Sequence, residues 1–217
     1  TDIDNFIINY ANGNVQNGSF IPVADLLSWP GNGDISKNQD QLLAPFFDVD
    51  ADGLYNPMSS GDYPLIKGDQ ALFTVYNDNY KLHQSGGKAI GVEIRLMAYA
   101  YGPCSVTTSN PFLNHTTFYN YQIINRSSFA LYNSYLSLFN DIDLGNYADD
   151  FVGSDVQDGY SYTYKPSVTN APAVGVVQFK GPVNSTNSID DNGDGTIDEP
   201  LEKMGFTKFM YYNNSLP

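Results

Sequence analysis

The chain has 217 residues with 24 acidic and 10 basic side chains, a net charge of −14, which argues against nucleic acid as the main partner. With 41% hydrophobic and 14% aromatic residues it can bury a sizeable core, so it is not a disordered acidic tail. A single cysteine, Cys104, rules out an internal disulfide, and no apolar run reaches the length of a membrane span.

The 21 Asp outnumber the 3 Glu, and 23 Asn, 19 Gly and 17 Tyr accompany them. Asp, Asn and Gly supply turns, while Tyr, Phe, Val and Ile favour pleated surfaces. The composition predicts an all-β chain, an antiparallel β-sandwich of jelly-roll or Ig-like type with long calcium-binding loops. Residues 1–45 read as a loop-rich N-terminal segment with short strands, packed on a main domain over 46–217. Strands are predicted over 71–77, 89–101, 116–126, 130–142, 159–165, 173–180 and 205–212. In the third, Phe118, Asn120, Gln122 and Ile124 share one face. The connections 48–69, 143–158 and 181–204 are too long for ordinary hairpins, and such loops are usually functional or metal-bound.

The first long loop reads Asp48-Val49-Asp50-Ala51-Asp52-Gly53-Leu54, with carboxylates at positions 1, 3 and 5, Gly at 6 and a carbonyl at 7. This is the first half of a calcium loop, in which alternate residues converge on the ion and Gly permits the sharp turn. Position 12 is Ser59 instead of a bidentate Glu, and Pro45, Pro57 and Pro64 discourage flanking helices, so an EF-hand is excluded. Asp62 is the expected distant ligand. The second loop repeats the spacing with Asp190, Asn192, Asp194 and the Thr196 carbonyl, closed by Asp198, Glu199 or Glu202. A third cluster, Asp141, Asp143, Asp149 and Asp150, lacks that spacing. It either binds a further cation or forms a solvated rim, since no Lys or Arg lies between Arg126 and Lys165 to offset it locally. The two histidines, His83 and His115, are not spaced with Cys104 as transition-metal ligands, and each reads as a surface or loop residue.

Several runs together resemble a known group: Trp29-Pro30 before Gly33-Asp34, Asp48 to Pro57, Gly61 to Pro64, Gly68-Asp69-Gln70, Gly91 to Tyr99, Asn120 to Asn125, Asp143 to Asp155 and Asp191 to Glu199. They are similar to large secreted or cell-surface proteins of Bacteroidetes-type bacteria, which usually end in a type IX secretion sorting domain. The resemblance implies an extracellular or cell-surface location and a longer parent chain; it implies no biochemical activity.

No nucleophile elbow, zinc-protease motif or phosphate-binding loop is present, so no enzyme is expected. Glu93 reads as a solvent-face strand residue. The residues favour a calcium-stabilised structural or adhesive module, with a carbohydrate-binding module using surface aromatics as the alternative. A surface glycan, another surface protein or self-association are the partners to expect. Five Asn-x-Ser/Thr sequons scarcely exceed chance and carry no argument.

Overall fold

In the computed structural model, Thr1 caps a helix instead of preceding a short strand. Its hydroxyl accepts the Asp4 N–H at 3.2 Å, and the Asp4 carboxylate reaches back to the terminal amine at 2.9 Å. This reciprocal cap, with Asp2 and Asp4 at the positive end of the helix dipole, starts α1 (Asp2–Ala11). Ile3, Phe6 and Tyr10 follow helical spacing. Phe6 is fully buried against Val15 and Leu26, with Tyr63 packed on the cluster. The expectation of strands alone in residues 1–45 is therefore corrected, because a cap and a period near 3.6 override a turn-rich composition. A short helix α2 (Ala24–Leu27) follows.

The structure describes residues 1–79, 83, 85–102, 111–166, 169–181, 188, 195–197 and 208–212. Strands in three antiparallel sheets make up most of the regular structure, and no helix is long and apolar enough to cross a membrane among these residues. The chain divides into two units, Thr1–Ser134 and Tyr135–Pro217.

In the first unit, β1 (Phe46–Phe47) pairs with β2 (Tyr63–Pro64), and the loop between them contains the short helix α3 (Pro57–Ser60). The main sheet has the order β3 (Gln70–Asn77), β4 (Val92–Ala100), β5 (Thr117–Asn125), matching the expected strands. The Asp78 carboxylate fixes the β3–β4 connection by accepting the N–H groups of Ile90, Gly91 and Val92 at 2.5, 3.1 and 3.0 Å. Cross-strand register places Phe73, Met97 and Asn120 in one row and Val75, Arg95 and Gln122 in the next. On this face Trp29 meets Phe73 at 6.0 Å between ring centroids and donates its indole N–H to the Pro45 carbonyl at 3.0 Å. Trp29 thus anchors the N-terminal segment to the sheet.

Glu93 is not a solvent-face residue. Its side chain is only 12% exposed and accepts Arg95 Nε at 2.8 Å and Arg126 Nε at 3.0 Å. Both guanidinium groups also reach Asp40 at 2.5 Å. Arg126 and then Arg95 hold the Asp40 and Glu93 carboxyls below their ordinary range, so both carboxylates stay charged at neutral pH.

In the second unit, β6 (Phe151–Asp155), β7 (Tyr160–Tyr164) and β8 (Val174–Val177) form a meander. β6 lies within a stretch expected to be loop, where it pairs with β7 from Phe151 opposite Tyr164 to Asp155 opposite Tyr160. Gly153 faces Tyr162, whose ring occupies the space a Cβ would need. The expected strand over 130–142 does not form, and Tyr132, Tyr135 and Phe139 are exposed. A strand pattern needs a neighbour to accept its backbone hydrogen bonds, and none pairs with this segment among the described residues. The expected strand over 205–212 lies partly outside the described residues, and 208–212 has no regular structure.

Candidate metal centre

The pairing of β1 with β2 brings together two aspartates that the sequence separates by thirteen intervening residues. Phe47 is opposite Tyr63, so Asp48 leaves the pair just where Asp62 enters it. Positive φ at Ala51 (59°), Gly53 (78°) and Gly61 (85°) then folds the intervening chain back on itself. Within this loop one ligand atom each from Asp48, Asp50 and Asp62 lies within 4.8 Å of the others. Among the described residues this is the one His, Cys, Asp and Glu group so assembled.

Each carboxylate is also an acceptor for its own loop. Asp48 accepts the N–H groups of Asp52 at 3.2 Å and Gly53 at 2.8 Å. Asp62, fully buried, accepts Val49 N–H at 2.9 Å and Asn56 N–H at 2.8 Å. Asp50 accepts the Ser60 hydroxyl at 2.7 Å, and that bond holds its carboxyl below the ordinary value. The loop thus holds three carboxyl groups close together on a braced backbone, an arrangement that could hold a metal ion.

Asp52 and Leu54 take different places from those the spacing implied. The Asp52 carboxylate accepts the Leu54 N–H at 2.7 Å and the Asn56 side-chain amide at 2.9 Å, so it braces the turn and stands outside the triad. Asn56 was not singled out from sequence. Its side-chain oxygen is buried and accepts no hydrogen bond, leaving an oxygen donor beside the loop. Its place at position 9 of the loop, where calcium loops often bind through water, is the signal that could have found it.

Two further residues position the loop. Tyr55 is buried and donates its hydroxyl to the Leu26 carbonyl at 2.6 Å; burial, then the Asp62 charge, pushes its phenol up and keeps it neutral. Asn32 grips the Tyr55 backbone from both sides, at 2.7 and 2.8 Å. Neither contact has a local sequence signature, since each spans more than twenty residues.

The remaining expected ligands divide in two. Asp190, Asn192, Asp194, Asp198 and Glu199 lie outside the described residues, and Thr196 is exposed. In the third cluster Asp141 and Asp143 are exposed, and the missing local cation arrives from β7's end, where Lys165 pairs with Asp149 and stands 3.7 Å from Asp150. Asp150 also accepts the Leu144 N–H at 2.9 Å. Of the histidines, His83 contacts the Asp78 carbonyl through Nε2 at 3.0 Å and His115 ends a short 3-10 turn, neither near the triad's ligand set. Compared with family models, curated proteins and solved structures, the chain matches none of them.

Proposed function

We propose that the chain is a calcium-stabilised structural or adhesive module of a larger secreted or cell-surface protein, with its sheets arranged as an antiparallel sandwich. The observation that carries this reading is the convergence of Asp48, Asp50 and Asp62 at the mouth of the β1–β2 pair. Three hard oxygen donors, with no imidazole or thiolate among them, suit calcium better than a transition metal. The Asn56 oxygen, the loop's carbonyls and water supply the further ligands that calcium requires.

A cation bound at this loop joins the first unit's N-terminal helices to its sheet, since Tyr55 and Asn32 tie the same loop to Leu26 and to the segment before β1. Binding only the folded form stabilises it by mass action, roughly 2.7 kcal/mol at a free ion concentration 100-fold above the dissociation constant. That stabilisation takes the place of disulfides in a chain with one cysteine. The extracellular placement and the longer parent rest on the resemblance to Bacteroidetes-type secreted proteins.

Thermal melts in excess calcium and in excess chelator, with bound metal quantified, test the reading. Asp50→Ala should lower the melting temperature in calcium and change little in chelator. Equal losses in both buffers, or no bound metal, would sink it.

A further inference from the structure

A groove of about 450 Å³ runs between the 42–46 segment and the main sheet, within the first unit. Its size falls in the about 300–1,000 Å³ range of small-ligand clefts. Phe73 and Met97 form an apolar floor, and Asn120 and Gln122 project from β5 along one side. Neither amide is hydrogen-bonded to another described group. Lys67, at the rim, holds its ammonium 5.9 Å from the Tyr99 ring centroid.

The charged groups at this groove already have partners. Arg95, which donates to the Leu42 carbonyl at 3.2 Å, is already matched by Asp40 and Glu93. Lys67 stands over the Tyr99 ring, and the Asp48 carboxylate accepts the N–H groups of Asp52 and Gly53 within its own loop. What the groove offers a ligand is therefore an apolar surface beside two amides, each able to donate and accept at once. Hydroxyls have the same dual character, and the C–H face of a pyranose ring is flat and apolar. We infer that this groove binds a neutral oligosaccharide, with Phe73 under the ring face and Asn120 and Gln122 on its hydroxyls.

Two other aromatic surfaces fit a sugar less well. Tyr160, Tyr162 and Tyr164 form a row on β7, but successive rings are turned 35° and 42° from each other, so no flat ring rests on them together. Tyr119 and Tyr121, on the opposite face of the main sheet, are exposed among Leu72, Leu96 and Ile123 without an amide in their rows.

Titration calorimetry on the full chain in calcium, with cellohexaose, mannohexaose, xylohexaose and charged hexagalacturonate, tests the inference. At least one neutral hexasaccharide should bind, and Asn120→Ala with Gln122→Ala should weaken it by about tenfold or more at an unchanged melting temperature. The pair Asn120→Asp with Gln122→Glu keeps the side-chain volumes and should weaken it as well, which separates ligand contact from packing. Tyr119→Ser and Tyr162→Ser should leave binding intact. Binding of none of the neutral sugars, preference for hexagalacturonate, undiminished binding in both double variants, or loss in either tyrosine variant would each overturn the assignment.

Discussion

The two acidic regions that the structure describes solve the same electrostatic problem in different ways. In the 48–62 loop, Asp48, Asp50 and Asp62 converge, and among the described residues their donors are backbone N–H groups and a hydroxyl, with no basic side chain. In the 141–165 region the acids spread apart, and Lys165 serves Asp149 and Asp150. Clustered carboxylates thus point to a cation only where the fold supplies no lysine or arginine of its own. Counting acids along the sequence does not separate the two cases; the partner's location does.

The largest effect that sharpens this contrast should come from Asp62→Ala. It removes a fully buried carboxylate and orphans the N–H groups of Val49 and Asn56, costing about 3 kcal/mol, and it should abolish any calcium-dependent rise in the melt. A variant whose melt still responds to calcium in full would separate the triad from metal binding.

Acid should come next. The carboxyls of Asp40, Asp50 and Asp78 lie below their ordinary value of 3.8 when folded, and Glu93 lies below 4.5. Groups whose folded values are depressed stabilise the native state fully above the ordinary value and lose that contribution as the pH falls through the folded one. Stability of the first unit, followed by the fluorescence of Trp29, should therefore be level near neutrality and decline below about pH 4.5. A decline that begins at pH 6 would mean that other groups govern it.

A smaller change is expected from Lys165→Met, which leaves Asp149 and Asp150 without their cation. The second unit should then become sensitive to calcium where the parent chain is not, as read by amide hydrogen exchange over β6 and β7. Calcium sensitivity of these strands already in the parent chain would remove the distinction between the two regions. The least effect belongs to Asp141→Asn and Asp143→Asn, both exposed, which should shift neither the melting temperature nor the metal stoichiometry.

Much of the main sheet was legible in advance because the period-two pattern and β-branched or aromatic content of 70–77, 92–100 and 117–125 are local properties. The shared face of Phe118, Asn120, Gln122 and Ile124 followed from the same periodicity, and it is the face that lines the groove. The segment 130–142 has a comparable content of apolar and aromatic residues and forms no strand, since pairing is decided by a neighbour. α1 was hidden by composition, because a Thr-capped Thr-x-x-Asp start in a turn-rich stretch looks like another turn.

By itself, then, the sequence determined what depends on spacing along the chain: the Asp-x-Asp-x-Asp-Gly curl, the alternating strands, the absence of a disulfide and the excess of negative charge. Only the tertiary structure decided which charges meet. It set Asp62 beside Asp48 through the β1–β2 register, took Asp52 out of the triad, placed Glu93 between two arginines and brought Lys165 to Asp149. Electrostatic interactions fall off with distance in space, so residues far apart in the chain acquire their partners, and with them their chemistry, only when folding closes the intervening loop.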